Sequence, residues 1–208
     1  RVVAGPERKS RIITEREKWV TAYREAGHAL VARMLPNMDP VHKITIVARG
    51  MAGGYTRVLP TEDRHLMTKS QFEDTLAFAM GGRVAEELIF HEISTGAEND
   101  IQQATNIARK MVTEYGMSEK LGPVALGHKE ELIFLGREIS EQRNYSDEIA
   151  LQIDQEIRKL IDNAYQRAKQ ILTENMDKLI ALASLLVEKE TLDNEDMESL
   201  FDTPRPQP

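Results

Sequence analysis

The sequence predicts a mainly α fold with a small β-hairpin or short sheet and a C-terminal helical bundle, and three observations carry that prediction. Four long stretches, about 14–35, 70–90, 98–115 and 146–188, space their apolar residues three and four apart, the repeat that gathers side chains on one face of an α-helix. Only two short runs, His42 to Ala48 and Tyr55 to Leu59, have the composition of strands. At 208 residues, 41% hydrophobic and 29% charged, the chain is long enough to bury a real core as one domain or two small ones.

Taken in order, Arg1 to Ser10 carry Gly5, Pro6 and several charges without apolar periodicity. Residues 1–12 therefore read as a connector from something upstream. Thr14 with Glu17 makes a capping box, and Trp19, Val20, Tyr23, Leu30 and Val31 supply an apolar face running to about Leu35, where Pro36 and Pro40 stop the helix. The two β-like runs are split by Gly50, Gly53 and Gly54, which suit a hairpin or a bulged edge. Arg64 to Lys69 reads as loop. Ser70 to Phe90 returns to helical spacing through Phe72, Leu76, Ala79, Met80, Val84 and Leu88. Gly81-Gly82 weakens that helix by about 1 kcal/mol per glycine, but glycines there permit close helix packing.

After Ser94-Thr95-Gly96 a helix is expected from about Glu98 to Tyr115, ended by Gly116. Met117 to Asn144 reads as a long loop. Ser146 to Glu188 is helical almost throughout, with Ile149, Ile153, Ile157, Leu160, Ile161 and Ala164 on one stripe. A break near Thr173 to Met176 would turn it into a helical hairpin. A short helix from about Asp193 to Phe201 then precedes a Pro-rich tail, 202–208, expected to be disordered. One domain is expected over 13–201, divided into 13–145 and the C-terminal helices of 146–201.

Composition removes several classes of function. A net charge of -7 argues against general nucleic-acid binding, and the locally basic Arg1 to Arg16 stretch reads as a solvated linker or an interdomain contact and not as a nucleic-acid patch. The absence of cysteine excludes disulfides and thiol chemistry, so any metal site must use His, Asp or Glu. No apolar run approaches the roughly 20 residues needed to span a bilayer, and the chain as given is expected to be soluble. No phosphate-binding loop of the Gly-x-x-x-x-Gly-Lys-Ser/Thr type occurs.

The chemistry centres on Arg24-Glu25-Ala26-Gly27-His28. This is the helical zinc-peptidase pattern His-Glu-x-x-His with arginine in the first histidine's place. On a helix, positions i and i+4 share a face, so two histidines can reach one metal while the glutamate between them reaches a metal-bound water. A guanidinium has five donors and no lone pair, so Arg24 cannot act as a ligand. Taken alone the pentad is weak: Glu-x-x-His recurs by chance on helices, and a lone histidine there is usually a satisfied core residue.

Its surroundings add to it. Trp19 to Leu35, Gly81-Gly82-Arg83-Val84-Ala85-Glu86-Glu87 and Ser94-Thr95-Gly96-Ala97-Glu98-Asn99-Asp100, with Met117 to Gly122 and Tyr145 to Glu148, together resemble the peptidase domain of the FtsH family of membrane-anchored AAA+ zinc proteases. The resemblance runs from the connector at Val2 to Ser10 through to about Phe201. It implies a helical peptidase domain with its small β element near the active-site cleft. It implies Zn²⁺ held at the positions of Arg24, His28 and Asp100, with Glu25 as general base. Glu86 matches a family carboxylate close to the metal, able to orient a ligand histidine. Asp100 also has a plainer role, opposing the helix dipole for roughly 0.3 to 1 kcal/mol. Glu86 could equally be a solvent-facing glutamate. His42, His65, His91 and His128 lack ligand spacing with His28, His91 being the nearest in sequence to Glu86 and Asp100.

The resemblance further implies a homohexameric ring acting on unfolded or membrane proteins. ATP and Mg²⁺ would bind a missing upstream ATPase module, and a missing N-terminal region would hold the protein in the inner membrane with this domain facing the cytoplasm. The run Gly53 to Val58 could pair as an edge strand with an extended peptide, or simply cap the domain. Arg24 is open to three explanations: loss of function in an active parent, a natural degenerate member, or a site that still binds metal through His28, Asp100 and another group. The expectation is poor zinc binding, with the guanidinium filling the site and pairing with Asp100, Glu86 or Glu25. Two other roles stay open, an inactive pseudoprotease serving as a structural or regulatory subunit of a ring, and an adaptor-like module in the C-terminal half.

Overall fold

The computed structural model describes residues 14–47, 53–59, 66–129, 141–142 and 144–207. Helix α1 (Glu15–Met34) opens on the expected capping box, Thr14 Oγ1 accepting from Glu17 N–H and the Glu17 carboxylate accepting from Thr14 N–H. Helix α2 (Lys69–Phe90) opens on a second box, Thr68 with Gln71, so the cap lies inside the stretch that reads as loop from its sequence. α2 ends at His91 in the left-handed region with φ 53°. A 3₁₀ turn, Thr95–Ala97, then feeds α3 (Glu98–Thr113), and Gly116 follows with φ +61°.

Strands β1 (Val41–Thr45) and β2 (Tyr55–Val58) pair antiparallel as expected, while the Gly50 end of the glycine cluster lies outside the described residues. Two features went unread in the sequence. Within the stretch expected as loop, His128–Lys129 (β3) pairs with Glu141–Gln142 (β4). After the long C-terminal helices, α4 (Asp147–Glu174) and α5 (Met176–Lys189), a three-residue strand β5 (Thr191–Asp193) joins the free side of β1, giving the order β2-β1-β5. Helix α6 (Asn194–Glu198) follows, capped by Asp193.

The break between α4 and α5 falls at Asn175, as the sequence suggests. The two helices do not zip into a hairpin, however. α4 packs on α2 and α3, and α5 packs on α1, with little contact between them. The buried Leu179, Leu182, Ala183 and Leu186 of α5 make an apolar face that α1 covers, and that contact competes successfully with α4. Among the described residues no helix is long and apolar enough to cross a membrane.

Helix α1 is the centre of the molecule, buried continuously from Glu25 to Arg33. Arg33 is 2% exposed, and its charge is met by Glu198 at 2.9 Å, the carbonyl of Thr203 at 2.8 Å and the ring of Phe201. Arg205 donates to the carbonyls of Ala32 and Met38, so residues 203 to 205 of the Pro-rich tail have partners on and beside α1. On the far side, buried Asp74 of α2 pairs with Arg167 of α4 at 2.6 Å and accepts from Asn37.

Against α2, α1 makes a contact that only glycine allows. A Cβ on Gly27 would stand 2.5 Å from Gly81 O and 2.6 Å from Ala85 Cβ. Gly27→Ala would gain helix propensity worth about 1 kcal/mol, but the clash is with backbone and cannot be relieved by a rotamer change. It is expected to lower stability by about 2 kcal/mol net, within the usual range for overpacking. Urea unfolding measures this, and an alanine variant more stable than the parent would refute the close helix contact.

Candidate active site

The α1–α2 contact places one turn of α1 over the glycines of α2 at the floor of a cleft of about 1070 Å³. One wall is the Gly53 to Thr56 stretch that runs into β2, and the other is the turn at Ser94 to Gly96 with the first residues of α3. Arg24, Glu25, His28, Glu86 and Asp100, the five residues that the sequence reading singled out, all line this cleft.

His28 is 5% exposed. Its Nδ1 lies 2.8 Å from the carbonyl of Phe78, which can only accept, so Nδ1 carries a proton. Its Nε2 is 3.2 Å from Asp100 Oδ2. Burial opposes the imidazolium, but the hydrogen bond and charge of Asp100, the charge of Glu25 and the Phe78 carbonyl outweigh it, and the histidine pKa is raised.

Glu25 accepts from Thr56 Oγ1 at 2.9 Å. Glu86 Oε2 accepts from Ser94 N–H at 3.1 Å and from Ser94 Oγ at 2.8 Å, so Glu86 is 2% exposed and not a solvent-facing glutamate. Thr56 and Ser94 carried no role in the sequence reading. The available signal was a hydroxyl residue on each stretch flanking the pentad's partners, which becomes informative only once the walls are known to face each other.

Arg24 lies with its Nε 3.5 Å from Glu25 Oε1 and its Nη1 3.7 Å from Glu86 Oε1. Two of its three expected partners are therefore present, while Asp100 pairs with His28 instead. Glycines make the room: a Cβ on Gly82 would fall 2.5 Å from Arg24 Cγ and 2.3 Å from His28 Nε2, and one on Gly96 would fall 1.9 Å from Arg24 Nη1. His42 is exposed on β1 and His91 is exposed at the end of α2, and neither lines the cleft. His65 and the His128 side chain lie outside the described residues.

Among the described residues no group of three or more His, Cys, Asp or Glu side chains could hold a metal ion. His28 and Asp100 offer two donors, and the residue beside them is a permanent cation without a lone pair. This donor set does not fit zinc, which takes at least three protein ligands in catalytic sites.

Comparison with known proteins decides the family. The model of peptidase family M41 matches residues 11–200. This chain belongs to peptidase family M41. Over all 208 residues it is 72% identical to ATP-dependent zinc metalloprotease FtsH 1 of Sphaerobacter thermophilus and 72% identical to the protein of the same name from Thermomicrobium roseum, covering 32% of each. It is 55% identical over 203 residues to ATP-dependent zinc metalloprotease FtsH of Bacillus subtilis, 97% of this chain and 32% of that relative. The chain thus spans about a third of the length of the curated relatives it matches.

The His28–Asp100 pair makes a pH-dependent contribution to this M41 domain. Because the folded-state pKa of His28 is raised, the stabilisation is complete below the unfolded value of about 6.5 and is lost as pH rises through the folded value. Asp100→Asn is expected to cost more stability near about pH 5 than near about pH 9. Denaturant unfolding at both values reads the difference, and an equal cost at each would show that the pair is not charged.

Proposed function

We propose that this chain is the peptidase domain of an ATP-dependent proteolytic machine of the kind for which its relatives are named, held catalytically silent by Arg24. In this reading Glu25 stands at the general-base position and His28 and Asp100 at two metal-ligand positions, while Arg24 occupies the position where the family pattern has the first ligand histidine. Glu86 stands behind them. The observation that carries the reading is the guanidinium seated between Glu25 and Glu86 in the same cleft as His28 and Asp100. It puts a fixed positive charge where a metal's charge would otherwise be required.

Residues 1–12 would connect this domain to an ATPase module that binds ATP and Mg²⁺. Membrane anchorage, hexameric assembly and delivery of unfolded or membrane proteins would likewise depend on parts of the machine beyond this domain. Within such a ring a silent domain serves as a structural or regulatory subunit.

Metal analysis and casein hydrolysis, run side by side on the parent chain and Arg24→His, test the proposal. The parent is expected to retain far less than one zinc per chain and to leave casein intact, and the histidine variant to gain both metal and activity. Stoichiometric zinc with equal hydrolysis in the two forms would sink it.

A further inference from the structure

A carboxylate works as a general base only when one of its oxygens is held toward the proton it accepts, and a side chain as long as glutamate's readily loses that aim. Three neighbours restrain Glu25. Gly54 lies against its stem: a Cβ there would fall 3.1 Å from Glu25 Cγ, 2.9 Å from Thr21 Cγ2 and 2.7 Å from Thr45 O, so glycine lets this stretch of chain come close to α1. Thr56 Oγ1 lies 2.9 Å from Glu25 Oε2 and 3.1 Å from the main-chain carbonyl of the same residue. The hydroxyl has one proton to give. The carboxylate is charged and nearer, while the carbonyl belongs to the hydrogen-bond ladder of α1, so the carboxylate takes it. Oε1 is then the oxygen that faces residue 24, with Arg24 Nε at 3.5 Å.

The strand that presents Thr56 is anchored from behind. Thr56 stands opposite Ile44 of β1, and Ile44 stands opposite Leu192 of β5, both fully buried. Next along β1, Thr45 Oγ1 donates to the main-chain carbonyl of Glu190 at 3.1 Å and lies 2.8 Å from the Thr191 hydroxyl. The sheet therefore holds the Thr56 hydroxyl at a fixed place against α1, the rigid support that an aimed functional group needs. Ser94, the hydroxyl on the facing wall, serves Glu86 instead.

We infer that Thr56 is a positioning residue for Glu25: by taking up Oε2 it turns Oε1 toward the side chain at position 24, as the oxygen left to accept a proton from water. The inference rests on the reading that Glu25 stands at the general-base position, and it adds what aims that base. In the parent chain Arg24 lies against the aimed oxygen, and Arg24→His releases it. Thr56→Val keeps the branched shape and removes the donor, whereas Thr56→Ser keeps the donor and removes a methyl group.

The test is made in the Arg24→His form of the 208-residue chain, with fluorescein-labelled casein as substrate and zinc content measured alongside. Thr56→Val is expected to lower kcat about 10- to 100-fold, the usual cost of losing an orienting partner, with KM and zinc per chain unchanged. Thr56→Ser is expected to recover most of that loss. Unchanged kcat in Thr56→Val overturns the inference. A loss carried by KM or by zinc content overturns it too, and so does a Thr56→Ser form as slow as Thr56→Val, which would make the methyl group decisive. If Thr56→Val fails to fold by circular dichroism, Thr56→Ala is read in its place by the same criteria. If Arg24→His stays inactive, the hydrolase reading falls, and the contact is decided in the parent chain. There the Glu25 side-chain carboxyl ¹³C resonance is expected to move in Thr56→Val and to hold in Thr56→Ser; no movement in Thr56→Val overturns the contact.

Discussion

Two helix backbones touch at Gly27 and Gly81, and the geometry of the cleft follows from that contact. With any larger residue at either position α1 and α2 must separate, since even a methyl group would stand 2.5 to 2.8 Å from the opposing carbonyl. The next residue, Gly82, leaves the hollow into which Arg24 and His28 fit, and one turn further α2 presents Glu86. The glycines that weaken α2 as an isolated helix are the ones that let α1 deliver its functional face to it. Tertiary packing offsets the lost propensity, as it does for most helices in folded proteins.

The same closeness creates an electrostatic demand. Glu25 and Glu86 are 4% and 2% exposed, and a carboxylate so withdrawn from water needs donors and a compensating charge. Thr56 and Ser94 supply donors, and Arg24 supplies the charge. A neutral histidine at position 24 would leave both buried carboxylates without the fixed cation that now lies beside them. The guanidinium meets that requirement, and its fixed positive charge would work against any divalent cation at this point. The long ion-pair distances show the limit of the substitution: it neutralises the floor without saturating its hydrogen bonds.

Much of this was legible in the sequence because it is written in local physics. The Thr14 box, the helical spacing of α1 to α4 and the two flanking strands each arise from residues within a few positions of one another. β5 was not legible: three residues cannot show alternation, and Thr191–Asp193 becomes a strand only because β1 offers it an edge. The splaying of α4 and α5 was equally hidden, since an apolar stripe says that a helix is covered and not by what. At the site, periodicity put Glu25 and His28 on one face, but the joining of Asp100 and Glu86 to them came from family resemblance. Nothing in spacing alone brings residue 100 to residue 28.

The pentad's two ends are not equivalent, and that explains why arginine is tolerated at one of them. His28 points into the core, its Nδ1 held by the Phe78 carbonyl and its Nε2 against both Asp100 and the Gly82 backbone. A guanidinium there would have to be buried against a carbonyl and a ring already in contact with the imidazole, with the helices forced apart. Arg24 instead lies along the cleft, its stem over Gly82 and its head beside Gly96, so a side chain longer than histidine extends into open volume. The charge it brings is the sign that the neighbouring carboxylates require. Arginine at position 24 is thus compatible with every packing contact of the α1–α2 pair, and its consequences fall on the chemistry of the cleft and not on the fold that builds it.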